Sequence, residues 1–457
     1  MKRTFLLLTF FFLVSCVKVQ LVNLNQSSDA VINKYKVSSA NIQEYFQKVK
    51  GIPSTRASEI EVNPIVHDGD TVMFLVNYPI GWELLSGDRR APRVLMRCDD
   101  GNVSIEELFE SPLHASFMNS LKRNFAKASA GSFFSQHSFA DSWPVHGFEA
   151  NDLDMDHRVV HQLYSVVRDT LSLRVRDHLL TTKWGQNSVW SQNAPYMDSS
   201  RTSHCLTGCV PVAYAQTLYY LHGRIGKPLA SFGNAYCDAY IPSTLAEIVL
   251  SYSDIDFSDY SSHWDEMPLS LADTTGAHLV SAFMMQIGLW LNAKYGRDGT
   301  SVLLSKMAEA PYFFSSNFQI ACQLDTVSNN LQYLSDIIDD QVFTEEKPVI
   351  LTISDDGVGH TVVVDGFKEI HEQVTYTYAM YTTGPTGFVN PHQAPEGFIT
   401  NTVEEASQFA AVNWGWNGYC DSDSHGTIWY NVFAEWLAST FSFTDKSLII
   451  HDFESTY

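Results

Sequence analysis

The sequence predicts an α+β fold made of two units joined by a charged segment. Residues 40–150 hold short β-rich runs separated by Asp-Gly turns, a pattern typical of a small α+β unit. Residues 177–457 hold an apolar helical run that begins at Cys209 and, much later, a β-branched run that begins at His360. The 457-residue chain, of which 45% is hydrophobic, is long enough to bury two cores.

The amino terminus is typical of an export signal. Two basic residues precede an apolar run over residues 5–14, which is too short to span a bilayer and is followed by a serine and Cys16. Residues 13–16 are similar to a bacterial lipoprotein box, which predicts a signal peptide over residues 1–16 and lipid attachment at Cys16. An ordinary secretory signal is the alternative. We expect an exported protein, either anchored by lipid at a periplasmic or cell-surface membrane face or secreted after processing.

The region between the signal and Cys209 divides into three parts. Residues 17–39 are polar and weakly patterned, which predicts a tether. The unit that follows is predicted to contain helices over 41–49 and 105–127 and strands over 60–62, 71–78 and 93–96. The charged segment 151–176 predicts a linker to the larger unit.

Cys209 is the strongest candidate for a chemical role. It follows Gly208 and begins a helical run, where unpaired backbone N–H groups and the positive end of the helix dipole favour a thiolate. A thiolate is the form that attacks carbonyl carbon, so this position suits a nucleophile. A buried structural cysteine is the alternative, because free cysteine packs as a small hydrophobe.

Two downstream motifs extend this interpretation. Gly359-His360 feeds a β-branched run, which places a base at the mouth of a strand, and Asn413 ends a short apolar strand with a side-chain amide. An amide can accept a hydrogen bond from imidazole. The chain order cysteine, histidine, asparagine is that of papain-like thiol hydrolases. It predicts a papain-like, two-lobed domain over 177–457, with Cys209 on a helical half and His360 on a β half.

Whole phrases of the sequence resemble the streptopain family of cysteine peptidases. They are WSQNAPY at 190–196, TGCV at 207–210, AQ at 215–216, GH at 359–360, VVDG at 363–366, VNWGW at 412–416 and the segment 289–302. The phrase at 73–88 is similar to the inhibitory pro-region of that family. The resemblance implies a zymogen in which residues 40–150 form an inhibitory pro-domain and 151–176 an activation linker. A permanent adhesive or folding domain is the alternative for residues 40–150.

The resemblance also implies roles for single residues. Cys209 is the expected nucleophile, and His360 is the base that accepts its proton and later protonates the departing amine. Gln192 is the expected oxyanion donor beside the backbone N–H of Cys209, because it precedes Pro-Tyr by the interval that the family shows. Gln186 is a rival, because the Trp-x-Gln triplet occurs twice.

Further residues are expected around the base and along the cleft. Asn413 and Trp414 are expected to orient and shield His360, and the sequence does not divide these roles between them. Glycine permits close approach of a substrate main chain, and the segment 289–302 resembles a cleft lining of the family. The expected substrate-binding residues are Gly359, Thr300 and Ser301.

Charge and chemistry narrow the classes of function. With 29 basic and 51 acidic residues the net charge is −22, so we expect no nucleic-acid partner. The expected chemistry requires no metal and no cofactor. The sequence therefore predicts an exported cysteine endopeptidase that acts on proteins or peptides. A catalytically silent binding or inhibitor protein on this fold, another thiol acyl-transfer enzyme and a surface adhesin remain as alternatives.

Overall fold

The structure, a computed structural model, describes most of the chain between residues 36 and 455. The described ranges are 36–49, 59–89, 91–109, 118–119, 121–123, 126, 158–197, 200, 202–225, 260–296, 299–326, 331–355, 358–383, 390, 392–418, 422–423, 426–431 and 448–455. The predicted signal peptide over 1–16, the lipid site at Cys16 and most of the predicted tether over 17–39 lie outside these ranges.

Helices and strands are mixed along the chain, which confirms the predicted α+β class. The helices are α1 (Ser39–Val49), α2 (Ile105–Leu108), α3 (Cys209–Ile225), α4 (Tyr260–Glu266), α5 (Ala277–Trp290), α6 (Leu304–Met307), α7 (Ala310–Phe318) and α8 (Leu331–Ile338). A 3-10 turn spans Ser188–Ser191 and a π-helical turn spans Asp339–Thr344. Within the described ranges, no helix is both long and apolar enough to cross a membrane.

The strands of the described residues form two sheets. They are β1 (Glu61–His67), β2 (Asp70–Tyr78), β3 (Gly81–Ser86), β4 (Val94–Cys98), β5 (Arg158–Arg176), β6 (Ile320–Thr326), β7 (Val349–Asp355), β8 (Val358–Thr383), β9 (Gly397–Asn413), β10 (Ser422–Asp423), β11 (Gly426–Thr427), β12 (Trp429–Asn431) and β13 (Leu448–Ser455). β10 and β11 pair only with each other, and the other strands join one sheet.

One antiparallel sheet of 11 strands runs through both units. Its order is β1-β2-β3-β4-β12-β9-β8-β7-β13-β6, and β5 pairs with β8 beside this path. The amino-terminal strands connect to the rest through β4 and β12, where Met96 lies opposite Tyr430 and Arg97 opposite Trp429. The unit over residues 40–150 is therefore continuous with the sheet of the larger unit.

The two largest hydrophobic clusters among the described residues lie on the sheet and among the helices. The sheet cluster combines amino-terminal side chains such as Trp82 with Val364 and Trp414 of the larger unit. The helical cluster packs α3, α5 and α7 around buried rings such as Tyr214 and Phe283. The predicted helical and β halves are thus both present, and α3 reaches the sheet through contacts with β7 and β8.

The predicted linker over 151–176 is wrong for its described part. Residues 158–176 form β5, which pairs antiparallel with β8 from Arg158 opposite Thr383 to Arg176 opposite Phe367. From Thr170 to Arg176 its sequence alternates polar residues with leucine or valine, which is the two-residue period of a strand. The same polar positions make the segment highly charged. The described part of this segment belongs with the sheet of the larger unit.

The helix predicted over 105–127 is shorter where the structure describes it. α2 ends at Leu108, and Ser104 caps its start by accepting from the backbone N–H of Glu107 at 3.1 Å. Residues 118, 119, 121–123 and 126 are again helical, and 110–117 lie outside the described residues. The helices and strands predicted at 41–49, 60–62, 71–78 and 93–96 overlap α1, β1, β2 and β4.

Candidate active site

Cys209 begins α3 at the end of a tight loop. It is half-buried, and Gly208 before it has a φ of +101°, in the left-handed region that favours glycine. A Cβ at Gly208 would lie 3.0 Å from Cγ2 of Thr300. Thr300 Oγ1 donates to the carbonyl of Leu206 at 2.5 Å. The loop that delivers Cys209 to the helix start is therefore held by Thr300.

His360 lies in the third position of β8 and hydrogen-bonds to the side chain of Cys209. Its ring is buried, and Nε2 lies 3.1 Å from the carbonyl oxygen of Trp414. A carbonyl only accepts, so Nε2 carries a proton and donates it. This leaves Nδ1 of His360 as the ring nitrogen that faces the sulfur.

Cys209 has a lowered pKa. Burial alone would raise the pKa of this thiol, but His360 lowers it through its charge and its hydrogen bond. The backbone N–H groups of Thr361 and Val210 lower it further. A lowered pKa favours the thiolate, which is the reactive state of a cysteine nucleophile.

Trp414 both holds and covers the histidine. Its carbonyl accepts from His360, and its ring stacks on the imidazole with centroids 5.9 Å apart and planes at 12°. The indole Nε1 donates to the phenol oxygen of Tyr430 at 3.0 Å. Tyr430 was not singled out in the sequence, because its contact with Trp414 forms only when β12 joins the sheet beside β9. Together these contacts hold the imidazole of His360 in place without using the side of the ring that meets the sulfur.

The hydrogen bonds of Asn413 go to groups other than His360. Its Oδ1 accepts from Gln216 Nε2 at 2.9 Å and from the backbone N–H of Gly415 at 3.0 Å. Its Nδ2 donates to the carbonyl of Thr182 at 3.0 Å and to Gln216 Oε1 at 3.2 Å. All hydrogen-bonding positions of this amide are occupied, and the carbonyl of Trp414 takes the role that Asn413 was expected to have.

The structure favours Gln186 over Gln192 as the oxyanion donor. Gln192 is exposed and follows the 3-10 turn over 188–191. Gln186 is 5% exposed, and its carbonyl accepts from the backbone N–H of Thr207 at 2.9 Å, two residues before Cys209. Its buried Nε2 has no hydrogen-bond partner among the described residues. An unpaired buried amide on a residue whose backbone bonds to the loop before Cys209 is a candidate oxyanion donor.

The predicted substrate-binding residues lie on two elements that flank the dyad. Gly359 is exposed on β8, next to His360 and opposite Ser354. Ser301 is exposed and its backbone pairs with Lys294. Thr300 supports the loop before Cys209 instead of standing free in a cleft. Contact of these residues with a substrate stays a prediction.

A thiol of lowered pKa, a paired imidazole and a buried free amide define a hydrolase that works through a cysteine nucleophile. The family model described as the Peptidase C10 family matches residues 184–422, which is just over half of the chain. The chain belongs to the Peptidase C10 family and is a cysteine peptidase. The resemblance to streptopain-type enzymes that the sequence indicated is confirmed.

Solved structures from Prevotella intermedia are similar in part. A mutant prointerpain A fragment is 17% identical with a TM-score of 0.48, covering 86% of this chain and 98% of its own. The active wild-type interpain A cysteine protease is 19% identical with a TM-score of 0.38, covering 60% of this chain and 94% of its own. A search of curated proteins found no match.

Proposed function

We propose that the protein is an endopeptidase that is made as an exported zymogen and cleaves polypeptides through Cys209. The observation that carries the proposal is the hydrogen bond between Cys209 and His360, together with the lowered pKa of the thiol. These two features supply a nucleophile and a general acid at one place.

The reaction follows from the geometry. The Cys209 sulfur forms a bond to the peptide carbonyl carbon, and the carbonyl oxygen gains negative charge. Gln186 Nε2 and the backbone N–H of Cys209 stabilise that oxygen. The protonated His360 gives its proton to the departing amine, which leaves a thioester. Water then loses a proton to His360, attacks the thioester and releases the acid and the thiol.

An extended polypeptide is the proposed substrate. The exposed backbone of Gly359 lies directly beside His360 on β8, and glycine lets another main chain approach closely. A polypeptide that passes the dyad in this way needs no free terminus. This supports cleavage at internal bonds.

Contacts between the two units support the zymogen proposal. β4 pairs with β12, the Lys368 ammonium contacts the Asp99 carboxylate, and Arg93 lies 3.8 Å from Glu405. We propose that the amino-terminal unit is the intramolecular inhibitor and that the enzyme becomes active when this unit is released after cleavage before the larger unit. The lipoprotein-type segment over 1–16 supports export and a membrane anchor at Cys16.

The test uses the full chain and its Cys209→Ala form under reducing conditions. Each is incubated with casein and with a peptide whose two ends are blocked, and loss of the amino-terminal unit is followed in parallel. We expect the wild type to cleave both substrates and the alanine form to cleave neither. Cleavage of casein by the alanine form would remove Cys209 as the nucleophile.

The same experiment separates the finer proposals. Failure to cleave the blocked peptide while free-ended peptides are trimmed would contradict endopeptidase action. Full activity of the uncleaved wild type would contradict the zymogen proposal. Release of the amino-terminal unit in the alanine form would show that another protease performs the activation.

A further inference from the structure

A pair of buried amides lies behind the catalytic residues. Gln216 is on α3, seven residues after Cys209, and is fully buried; Asn413 ends β9 and is 3% exposed. Each amide both donates to and accepts from the other, at 2.9 Å and 3.2 Å. The pair therefore ties the nucleophile helix to the strand end that leads into Trp414.

Gln216 also reaches the loop that carries the oxyanion candidate. Its Oε1 accepts from the backbone N–H of Trp184 at 3.3 Å, two residues before Gln186. The partner Asn413 donates to the carbonyl of Thr182 at 3.0 Å on the same segment. The amide pair thus links three parts of the site. Gln216 lies on α3, the helix that begins at Cys209, and Asn413 directly precedes Trp414, whose carbonyl accepts from His360. Both amides also bond to the segment that precedes Gln186.

Because the amide pair is buried, losing one of its hydrogen bonds has a large cost in free energy. A buried polar group that loses a partner keeps its desolvation penalty, so an apolar side chain at 216 would remove one hydrogen bond from each amide atom of Asn413 and the bond from the Trp184 N–H. Those groups can recover partners only by moving their backbone segments. Cys209 lies about two helical turns from Gln216, so such a movement changes the site without removing any group that touches substrate.

We infer that Gln216 is a positioning residue of the peptidase: through Asn413 and Trp184 it sets the alignment of Cys209, Gln186 and His360. The inference rests on the proposed function. It differs from a purely structural role because it requires the chemical step to weaken while folding and substrate binding are kept.

The principal variant is Gln216→Met, which keeps the length of the side chain and removes its polar atoms. Thr217→Val is the matched control, since Thr217 is the next residue of α3, is fully buried and has an Oγ1 without a partner among the described residues. We expect kcat per titrated active site to fall about tenfold or more in Gln216→Met. KM should change by less than about twofold, and Thr217→Val should match the wild type.

A second variant, Gln216→Glu, adds a pH readout. A protonated carboxyl can donate to Asn413 and accept from Trp184, whereas an ionised one cannot donate. Burial disfavours the ionised form and raises the pKa of such a carboxyl. Activity of Gln216→Glu relative to wild type should therefore be highest at acid pH and fall as pH rises.

The outcomes are distinguishable. If the wild type does not cleave peptides at all, the proposed function fails. If the wild type is active and kcat per titrated site is unchanged in Gln216→Met, the positioning role is wrong. It is equally wrong if only the titratable fraction falls in step with thermal stability, or if Gln216→Glu keeps the wild-type pH profile.

Discussion

Burial and charge act in opposite directions on Cys209. Removing a thiolate from water raises its pKa, yet the neighbouring His360 and two backbone N–H groups lower it overall. The reactivity of Cys209 thus depends on its interaction with His360. A variant that removes His360 leaves only the unfavourable effect of burial and weaker backbone contacts.

The pH dependence of alkylation tests this balance. A thiol reacts with iodoacetamide as the thiolate, so the wild type should keep reacting rapidly at pH values below the ordinary thiol range. In His360→Ala the pKa of Cys209 should rise, and the reaction should become slow until the pH approaches or exceeds that range. Mass spectrometry of the peptide that contains Cys209 gives the rates. An unchanged profile in His360→Ala would contradict the ion pair.

Gln186 and Gln192 provide a matched pair of variants. Loss of one oxyanion donor reduces kcat by about 10²–10³ in other enzymes, and we expect a fall in that range for Gln186→Ala. Gln192 is exposed, so Gln192→Ala should stay within about twofold of wild type in kcat. Steady-state kinetics on a peptide amide checks both. Equal losses would mean that the two glutamines act together.

At the scale of the element, the start of α3 depends on one glycine. A residue other than glycine at a strained positive φ costs about 1–3 kcal/mol. Gly208 has a φ of +101° and faces the side chain of Thr300 at close range. The geometry of this loop decides where the nucleophile points.

Gly208→Ala should therefore lower the free energy of unfolding by about 1–3 kcal/mol and reduce kcat. Gly223→Ala is the control, because Gly223 lies in the same helix with nothing within 4 Å of a new Cβ, so alanine there should be neutral or stabilising. Urea denaturation measures both. Adding Thr300→Ser to Gly208→Ala removes the methyl contact and should restore part of the loss.

Local sequence patterns predicted the helices and strands that carry the site better than they predicted the contacts between those helices and strands. The helix at Cys209 and the strand at His360 follow from short-range periodicity and turn residues, and both are present. The partner of Asn413 could not be predicted, since Gln216 is distant in sequence and meets it only after folding. Burial distinguishes Gln186 from Gln192, and the sequence does not show which of the two side chains is buried.

β5 shows a different limit of sequence patterns. Its charged residues indicated a linker, but Arg168 contacts Glu372 at 2.6 Å and Glu405 at 3.0 Å across the sheet. Charges that pair across strands can hold a largely exposed strand such as β5 on the sheet, and composition alone does not reveal that pairing.

At the scale of the whole molecule, the two units are joined by main-chain pairing as well as by side chains. Asn431 Nδ2 donates to the carbonyl of Val94 at 2.8 Å beside the pairing of β4 with β12. Asp99 has a lowered pKa, because the effect of burial, which raises it, is outweighed by Arg97 and by Lys368 of the larger unit. Separating the units would remove the contribution of Lys368 and keep Arg97, which lies in the same unit as Asp99.

We predict that the amino-terminal unit stays bound after the chain is cut at a protease site engineered between residues 126 and 158. Because the pKa of Asp99 is lower in the bound state, its stabilisation is complete at neutral pH. It is lost as the pH falls through the pKa of the bound carboxyl. The fragments should co-elute in gel filtration at neutral pH and separate more readily in acid.

Asp99→Asn is the control for this prediction. It keeps the shape of the side chain and removes its charge, so binding should be weaker at neutral pH and less sensitive to acid. Immediate separation of the wild-type fragments at neutral pH would show that the shared sheet does not hold the units together.

The position of the last two strands of the sheet has a consequence for biosynthesis. β12 lies between β4 and β9, and β13 lies between β7 and β6, yet both are translated after all their neighbours. A nascent chain on the ribosome therefore holds open strand edges until β12 and β13 have emerged. Tyr430, which supports the ring beside His360, emerges with β12. The sheet around the catalytic residues is therefore completed only after β12 has been made.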